Sequence, residues 1–425
     1  MLSRDRTDTR NSEIVGLLDI GTTKVVCVIA ALDAPEHSGA ARRVRVLGIG
    51  HQRSRGLKAG VITDLSEAEA TVRSAIAQAE RQAHVTIEEV FLAVSCGRLH
   101  SSNFAASVDV QGGVIRSDDI DRLMAGAHAY AERDGRMLVH LNRVGFRVDG
   151  APGGHDPRGM AAAKLAADLH TVAADEAPVR NLMVVVERCY LSVRALIATP
   201  YASALAATTE EERSLGVVSI DIGGGTATAA AFVDGHFVHA ATVPVGGHHI
   251  TMDIAQALQT PLAEAERIKT LYGTTIVAQS DEHESFPYAL AGAEEGARGE
   301  ATKAQLAGII RPRVAGILGL VRERLDKAGI MDLAGGRVVL TGGASSLVGL
   351  GEFAANILGR PVRVSRPQPF EGLPQSVCGP AFSTVAGLLA VAASGSGDVP
   401  AVRGRETLGG GYLERVGEWL RTGFA

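Results

Sequence analysis

The chain repeats its own opening. Leu17-Leu18-Asp19-Ile20-Gly21-Thr22-Thr23 returns in the second half as Ser219-Ile220-Asp221-Ile222-Gly223-Gly224-Gly225-Thr226. Each copy reads as an apolar strand ending in Asp, a glycine turn and a second strand. A whole supersecondary unit repeated at the head of two halves predicts a duplicated α/β fold whose two lobes carry equivalent β-sheet cores. Without a Cβ, the glycines let backbone N–H groups approach an anion closely. Thr22, Thr23 and Thr226 add hydroxyls, and Lys24 adds a charge that can neutralise phosphate. Asp19 and Asp221, at strand ends, can each hold a water of hydrated Mg²⁺, which keeps several waters and favours carboxylate plus phosphate oxygens. Either copy alone reads equally as a plain β-hairpin; the pair is what points to a nucleotide triphosphate.

A third motif follows in the order such a site needs. Leu340-Thr341-Gly342-Gly343-Ala344-Ser345 leaves a strand and precedes a helix expected over 347–358, so Gly342, Gly343 and Ala344 can lie against a ribose or base. Glu266 and Lys269, spaced i and i+3, share one helix face. No GxxxxGK[ST] or strand-linked GxGxxG is present, which excludes a P-loop and a dinucleotide fingerprint.

The pattern divides the chain as follows. Residues 1–13 form a polar leader without the features of a signal peptide. Residues 14–85 and 167–206 make the first lobe, interrupted at 86–166 by an inserted subdomain, with 379–393 as its closing helix. Residues 207–246 and 336–378 make the second lobe around a largely helical subdomain at 247–335, which contains a polar loop at 279–300. Hydrophobic residues at 46% supply two cores, while 4% aromatics and a net charge of −5 argue against single-stranded nucleic acid as a partner. Cys27, Cys96, Cys189 and Cys378 lie too far apart for a zinc or disulfide framework, as expected in a reducing cytosol. No continuous run reaches the roughly 18 apolar residues of a membrane span.

Residues 394–411 read as a linker and 412–425 as a terminal amphipathic helix. At 100° per residue, Tyr412, Leu413, Val416, Trp419, Leu420 and Phe424 fill an arc of about 140°, opposite Glu414, Arg415, Glu418 and Arg421. Such a helix is marginal in water and folds on a surface, with the indole at the lipid–water boundary. The alternative is that it docks back on its own protein. Four cancelling charges leave lipid anchoring to apolar burial, so one copy binds weakly and many assembled copies bind strongly.

The three motifs resemble the phosphate 1, phosphate 2 and adenosine motifs of the actin, hexokinase and DnaK superfamily. The resemblance places Asp19, Gly21, Thr22 and Thr23 in the first, Asp221, Gly223, Gly224, Gly225 and Thr226 in the second, and Gly342, Gly343 and Ala344 in the third. Glu266 and Lys269 then match the pair that contacts ribose and base. The late position of the insertion, Pro244–Ala255, Leu306–Val314 and the terminal helix resemble the bacterial cell-division FtsA family. That resemblance implies an actin-like (ribonuclease H-like) two-lobe fold with the insertion as subdomain 1C, binding ATP and Mg²⁺. It also implies head-to-tail polymerisation at the cytoplasmic face of the inner membrane at the septum. There the family tethers the C-terminal tail of FtsZ and recruits other divisome proteins through 1C. Pro312 and Arg313 match the family's FtsZ-tail site, although Ala315 and Gly316 stand where a Glu is frequent. Ala198–Ala204 offers only Thr199 and Ser203 to position a water, so slow hydrolysis at most is expected. A PilM-like pilus adaptor and a small-molecule kinase of the same superfamily are the competing readings.

Overall fold

The computed structural model describes residues 12–35, 41–96, 98–132, 135–292, 297–334 and 336–394. Most of the expected leader, the linker beyond Ser394 and the terminal helix with its six apolar residues lie outside the described residues.

Strands β1 (Glu13–Ile20), β2 (Lys24–Leu32) and β3 (Val44–Arg53) form an antiparallel meander, with Leu18 opposite Cys27 and Asp19 opposite Val26. The meander is covered by helix α1 (Leu65–Ala83), where Asp64 caps the amides of Ser66 and Glu67 at 2.9 and 3.0 Å. Its Ala68, Val72, Ala75, Ile76 and Ala79 are buried at helical spacing. Strand β4 (Glu89–Val94) then joins β1 in parallel, Gly16 opposite Val90.

An insertion follows: β5 (His100–Asp109), α2 (Ser117–Ala131), β6 (Met137–Val148) and β7 (Lys164–Ala174). Its strands form a separate sheet with β7 central, over a small core that includes Leu123, Phe146, Leu165 and Leu169. Asp119 closes the start of α2 by accepting the Arg116 amide at 3.0 Å, as expected of a capping acid. Helix α3 (Glu176–Arg188) and strand β8 (Ser192–Ala198) complete the first sheet in the order β8-β4-β1-β2-β3.

Helix α4 (Thr199–Ala207) leads to the second half. There β9 (Val217–Ile222), β10 (Ala227–Val233) and β11 (His236–Val243) repeat the meander, with Asp221 opposite Thr228. Helices α5 (Gly247–Leu258) and α6 (Leu262–Tyr272), a hairpin of β12 (Ser285–Ala289) and β13 (Arg298–Thr302), and helix α7 (Lys303–Lys327) follow. Strand β14 (Val338–Thr341), helix α8 (Leu350–Leu358), strand β15 (Val362–Val364) and helix α9 (Ser383–Ser394) end the described chain. The second sheet runs β11-β10-β9-β14-β15, with Ile220 beside Leu340 in parallel. Each sheet is a three-stranded meander with two parallel strands added beside its first strand. The duplication is topological as well as sequential.

Four sequence expectations need correction. Residues 89–94 belong to the first sheet, not to the inserted segment expected from 86, because Val90, Leu92 and Val94 are buried in a strand paired between β1 and β8. The inserted sheet also runs past 166, to Ala174. The polar loop expected at 279–300 contains the β12–β13 hairpin, anchored by Phe286 stacked on Tyr272 at 4.5 Å. The helix expected from 347 starts at Leu350, after a short 3₁₀ turn at Gly343–Ser346.

Helix α7 is long and apolar enough to cross a membrane despite its charges, which a search for uninterrupted apolar runs does not detect. Its Leu306, Ile310, Val314, Ile317, Leu318, Val321 and Leu325 are packed into the second core, so it reads as a core helix.

Candidate functional site

The two glycine turns close in the same way. Gly21 donates its amide to Lys24 O at 2.9 Å, and Gly223 donates to Thr226 O at 2.9 Å. They also meet face to face. A Cβ on Gly224 would stand 2.7 Å from Thr23 Oγ1, and one on Gly225 would stand 2.3 Å from Thr22 Oγ1. The threonines of the first turn therefore occupy the volume that the glycines of the second leave open.

Each turn is braced from behind. Thr22 Oγ1 accepts the Gly60 amide at 2.9 Å, and Thr23 O accepts the Ser54 amide at 3.1 Å. Gly223 O and Gly224 O accept the amides of Gly247 and His248 at 2.8 and 2.7 Å, fixing the start of α5 to the second turn. The third motif presses on the second turn. Gly342 has φ +86°, and a Cβ there would lie 2.2 Å from Asp221 Oδ1.

Between these turns runs a crevice of about 390 Å³. It is lined by Asp19, Gly21, Thr22, Thr23 and Lys24 from the first lobe, and by Asp221, Gly223, Gly224, Gly225 and Thr226 from the second. Glu266, Lys269, Gly342, Gly343 and Ala344 complete the set named from the sequence, so the structure brings all of these residues to one place. Glu266 and Lys269 do share a face: Lys269 Nζ donates to Glu266 Oε2 at 2.7 Å and to Thr251 Oγ1 at 2.8 Å.

The carboxylates are held for charge chemistry. Burial pushes Asp19 up to about 6, with Lys24 opposing. Burial pushes Asp221 to about 6 as well; the Asp19 charge adds to this, while hydroxyls of Ser203 and Thr384 and the Lys24 ammonium pull it back. A divalent cation would discharge that stress, since two carboxylates in one crevice with hydroxyl neighbours fit its oxygen preference.

Sequence reasoning missed Thr384, Ser95, Gly247, His248 and the apolar wall of Leu271, Leu347 and Val348. Gly247 carried a signal, the Gly-Gly pair after β11; Thr384 carried none, since hydroxyls are common in apolar helices. Of the two hydroxyls proposed to position water, Thr199 lines the crevice, whereas Ser203 is buried beside Asp221.

Pro312 and Arg313 lie elsewhere, on α7, beside a shallow depression shared with Val245, Gln256, Ile309 and Leu320. Arg313 is not a bare cation. Its guanidinium forms a two-pronged contact with Asp253 of α5, Nε–Oδ2 2.6 Å and Nη2–Oδ1 2.8 Å.

Comparison with known proteins places this geometry. A family model described as cell division protein FtsA matches residues 218–387, and one described as the SHS2 domain inserted in FTSA matches residues 96–173, close to the inserted sheet. The chain is 39% identical to cell division protein FtsA of Agrobacterium fabrum, over 98% of this chain and 96% of that one. It is 33% identical to the Neisseria meningitidis FtsA, over 96% and 98%, and 30% identical to the Escherichia coli K12 FtsA, over 97% and 98%.

Among solved structures, a chain of the PilM–PilN type IV pilus biogenesis complex superposes with a TM-score of 0.61 at 16% identity, covering 88% of this chain and 97% of that one. MreB5 of Spiroplasma citri, bound to ADP, superposes with a TM-score of 0.51 at 14% identity, covering 89% and 96%. These two likenesses concern the fold, which is actin-like. With 30–39% identity over nearly its full length to three of its members and an insertion where that family carries one, the chain belongs to the cell division protein FtsA family.

Proposed function

We propose that the chain binds Mg²⁺–ATP between its two glycine turns and acts as a nucleotide-loaded assembly protein of cell division. The convergence of Asp19 and Asp221, with their turns in contact, is the observation that carries this reading. The turns supply close backbone to the phosphates. Asp19 and Asp221 take the cation through water, and Glu266, Lys269, Gly342, Gly343 and Ala344 take the nucleoside. When bound, Mg²⁺ screens phosphate charge. Titration of a fluorescent ATP analogue tests this directly. Binding should require Mg²⁺ and be lost in Asp221→Ala, and equal binding by that variant would reject the site.

Family membership supports the further steps. The loaded chain polymerises head to tail at the cytoplasmic face of the inner membrane, at the septum. Its Tyr412–Phe424 face lies on lipid, and its inserted subdomain recruits other divisome proteins. The FtsZ tail docks at Pro312 and Arg313, where an acidic peptide competes with Asp253 for the guanidinium. Vesicle co-sedimentation of the full chain against one ending at Gly410, with and without FtsZ, tests the tether. Loss of FtsZ recruitment on truncation is expected.

Hydrolysis is slow, because Thr199 is a weak water-positioning group and Ser203 is buried, with its hydroxyl donating to Pro200 O at 3.4 Å. Turnover at about 1 s⁻¹ or faster, well inside the ordinary enzyme range, would contradict this.

A further inference from the structure

One cation of the crevice is engaged away from the two carboxylates. Lys24 lines the crevice, yet its ammonium donates to Ala381 O and lies 4.0 Å above the Phe382 ring. The same ring meets His51 edge-on at 5.4 Å. Among the described residues, no carboxylate lies within ion-pair distance of Lys24, although Asp19 and Asp221 are near enough to oppose the effect of its burial.

The segment that Lys24 grips is a junction. Pro380 O accepts the Gly342 amide at 3.1 Å and the Ser383 hydroxyl at 2.9 Å. Thr384, in the first turn of α9, reaches Asp221. Residues 380–384 thus touch the first glycine turn through Lys24, the second through Asp221, and the third motif through Gly342. Helix α9 continues from this junction, and residues 395–425 follow it in the chain.

We propose that Lys24 is a latch with two alternative sets of partners: the Ala381 carbonyl and Phe382 ring, or the phosphate oxygens of a triphosphate. The proposal rests on the nucleotide reading above. A carbonyl and a ring face offer partial charges, whereas a triphosphate offers formal ones in the same poorly solvated space, so the ammonium transfers to phosphate. The transfer loosens the root of α9 and makes occupancy of the crevice felt where the C-terminal segment departs.

The test uses the full chain as wild type, Phe382→Leu and Lys24→Met. Mg²⁺–ATP and adenosine are titrated against wild type and Phe382→Leu, and amide hydrogen exchange is followed over residues 381–394 in wild type and Lys24→Met. Removing the ring weakens the competing partner, so Phe382→Leu should bind ATP about two- to tenfold tighter. Adenosine, which has no phosphate, should bind it as it binds wild type. In wild type, saturating Mg²⁺–ATP should speed exchange at the start of α9 several-fold, and Lys24→Met at saturation should show no such response.

Unchanged or weaker ATP binding by Phe382→Leu, or a wild-type response in Lys24→Met, overturns the latch alone. Failure of wild type to bind ATP overturns the nucleotide reading and the latch with it. A purely architectural Phe382 would weaken ATP and adenosine together.

Discussion

The two glycine turns share a closing hydrogen bond but not their bulk. Beside Gly21 the first turn carries Thr22 and Thr23, whose side chains project across the crevice; beside Gly223 the second carries Gly224 and Gly225, which project nothing. Identical copies of the first turn would collide, and identical copies of the second would leave a gap. Duplication supplies the two-lobed frame, and divergence of two positions makes the halves fit. The carboxylates diverge less: both are raised by burial, but Asp221 alone has Ser203 and Thr384 as hydroxyl partners.

Exchanging bulk between the turns should do the most damage. Gly225→Val places a branched side chain on Thr22 and should weaken Mg²⁺–ATP binding by about 100-fold or more, while circular dichroism stays native. The mirror change is milder. Thr22→Val keeps the shape but loses the bond from Gly60, costing about 1–2 kcal/mol. Comparable losses from both substitutions would show that the asymmetry is incidental.

Next in size is the charge at Asp221. A carboxyl whose folded pKa is raised from 3.8 to about 6 stabilises the fold below the unfolded value, and that contribution is lost as pH rises through about 6. Asp221→Asn should therefore raise stability to denaturant at pH 7.5 without Mg²⁺, by at most about 3 kcal/mol, while abolishing the Mg²⁺-dependent part of binding. A stability loss there would refute the assigned burial. In wild type, Mg²⁺-dependent affinity should fall several-fold between pH 7.5 and 5.5, as both carboxyls take up protons; a flat profile would argue that neither serves the cation. The smallest effect belongs to Ser203→Ala, which removes one hydroxyl from Asp221 and should move the midpoint of that profile upward, leaving affinity at pH 8 within about threefold.

These two turns were also the most legible part of the chain. Glycine next to an Asp-ended strand admits few physical explanations, and its repetition admits fewer. The inserted boundary was not legible, because the continuous apolar run Val90–Val94 of β4 fits either sheet and only pairing with β1 decides. The β12–β13 hairpin was hidden by its exposure, since Phe286 and Ala301 are its only buried residues among those described. Ser203 and Thr384 were invisible as partners of Asp221, since they meet it only after α4 and α9 have packed between the lobes. The charge on Lys24 was evident, but its Ala381 and Phe382 partners come from the far end of the chain. The pairing of Arg313 with Asp253 likewise depends on α5 and α7 lying side by side.

A double-substitution cycle on ATP affinity, using Asp19→Asn, Asp221→Asn and both together in Mg²⁺, tests most directly whether the halves close on one ligand. If they hold the same Mg²⁺–triphosphate, the second substitution adds little to the first, a coupling of about 1 kcal/mol or more. Strictly additive losses, as from two independent sites, would contradict the account.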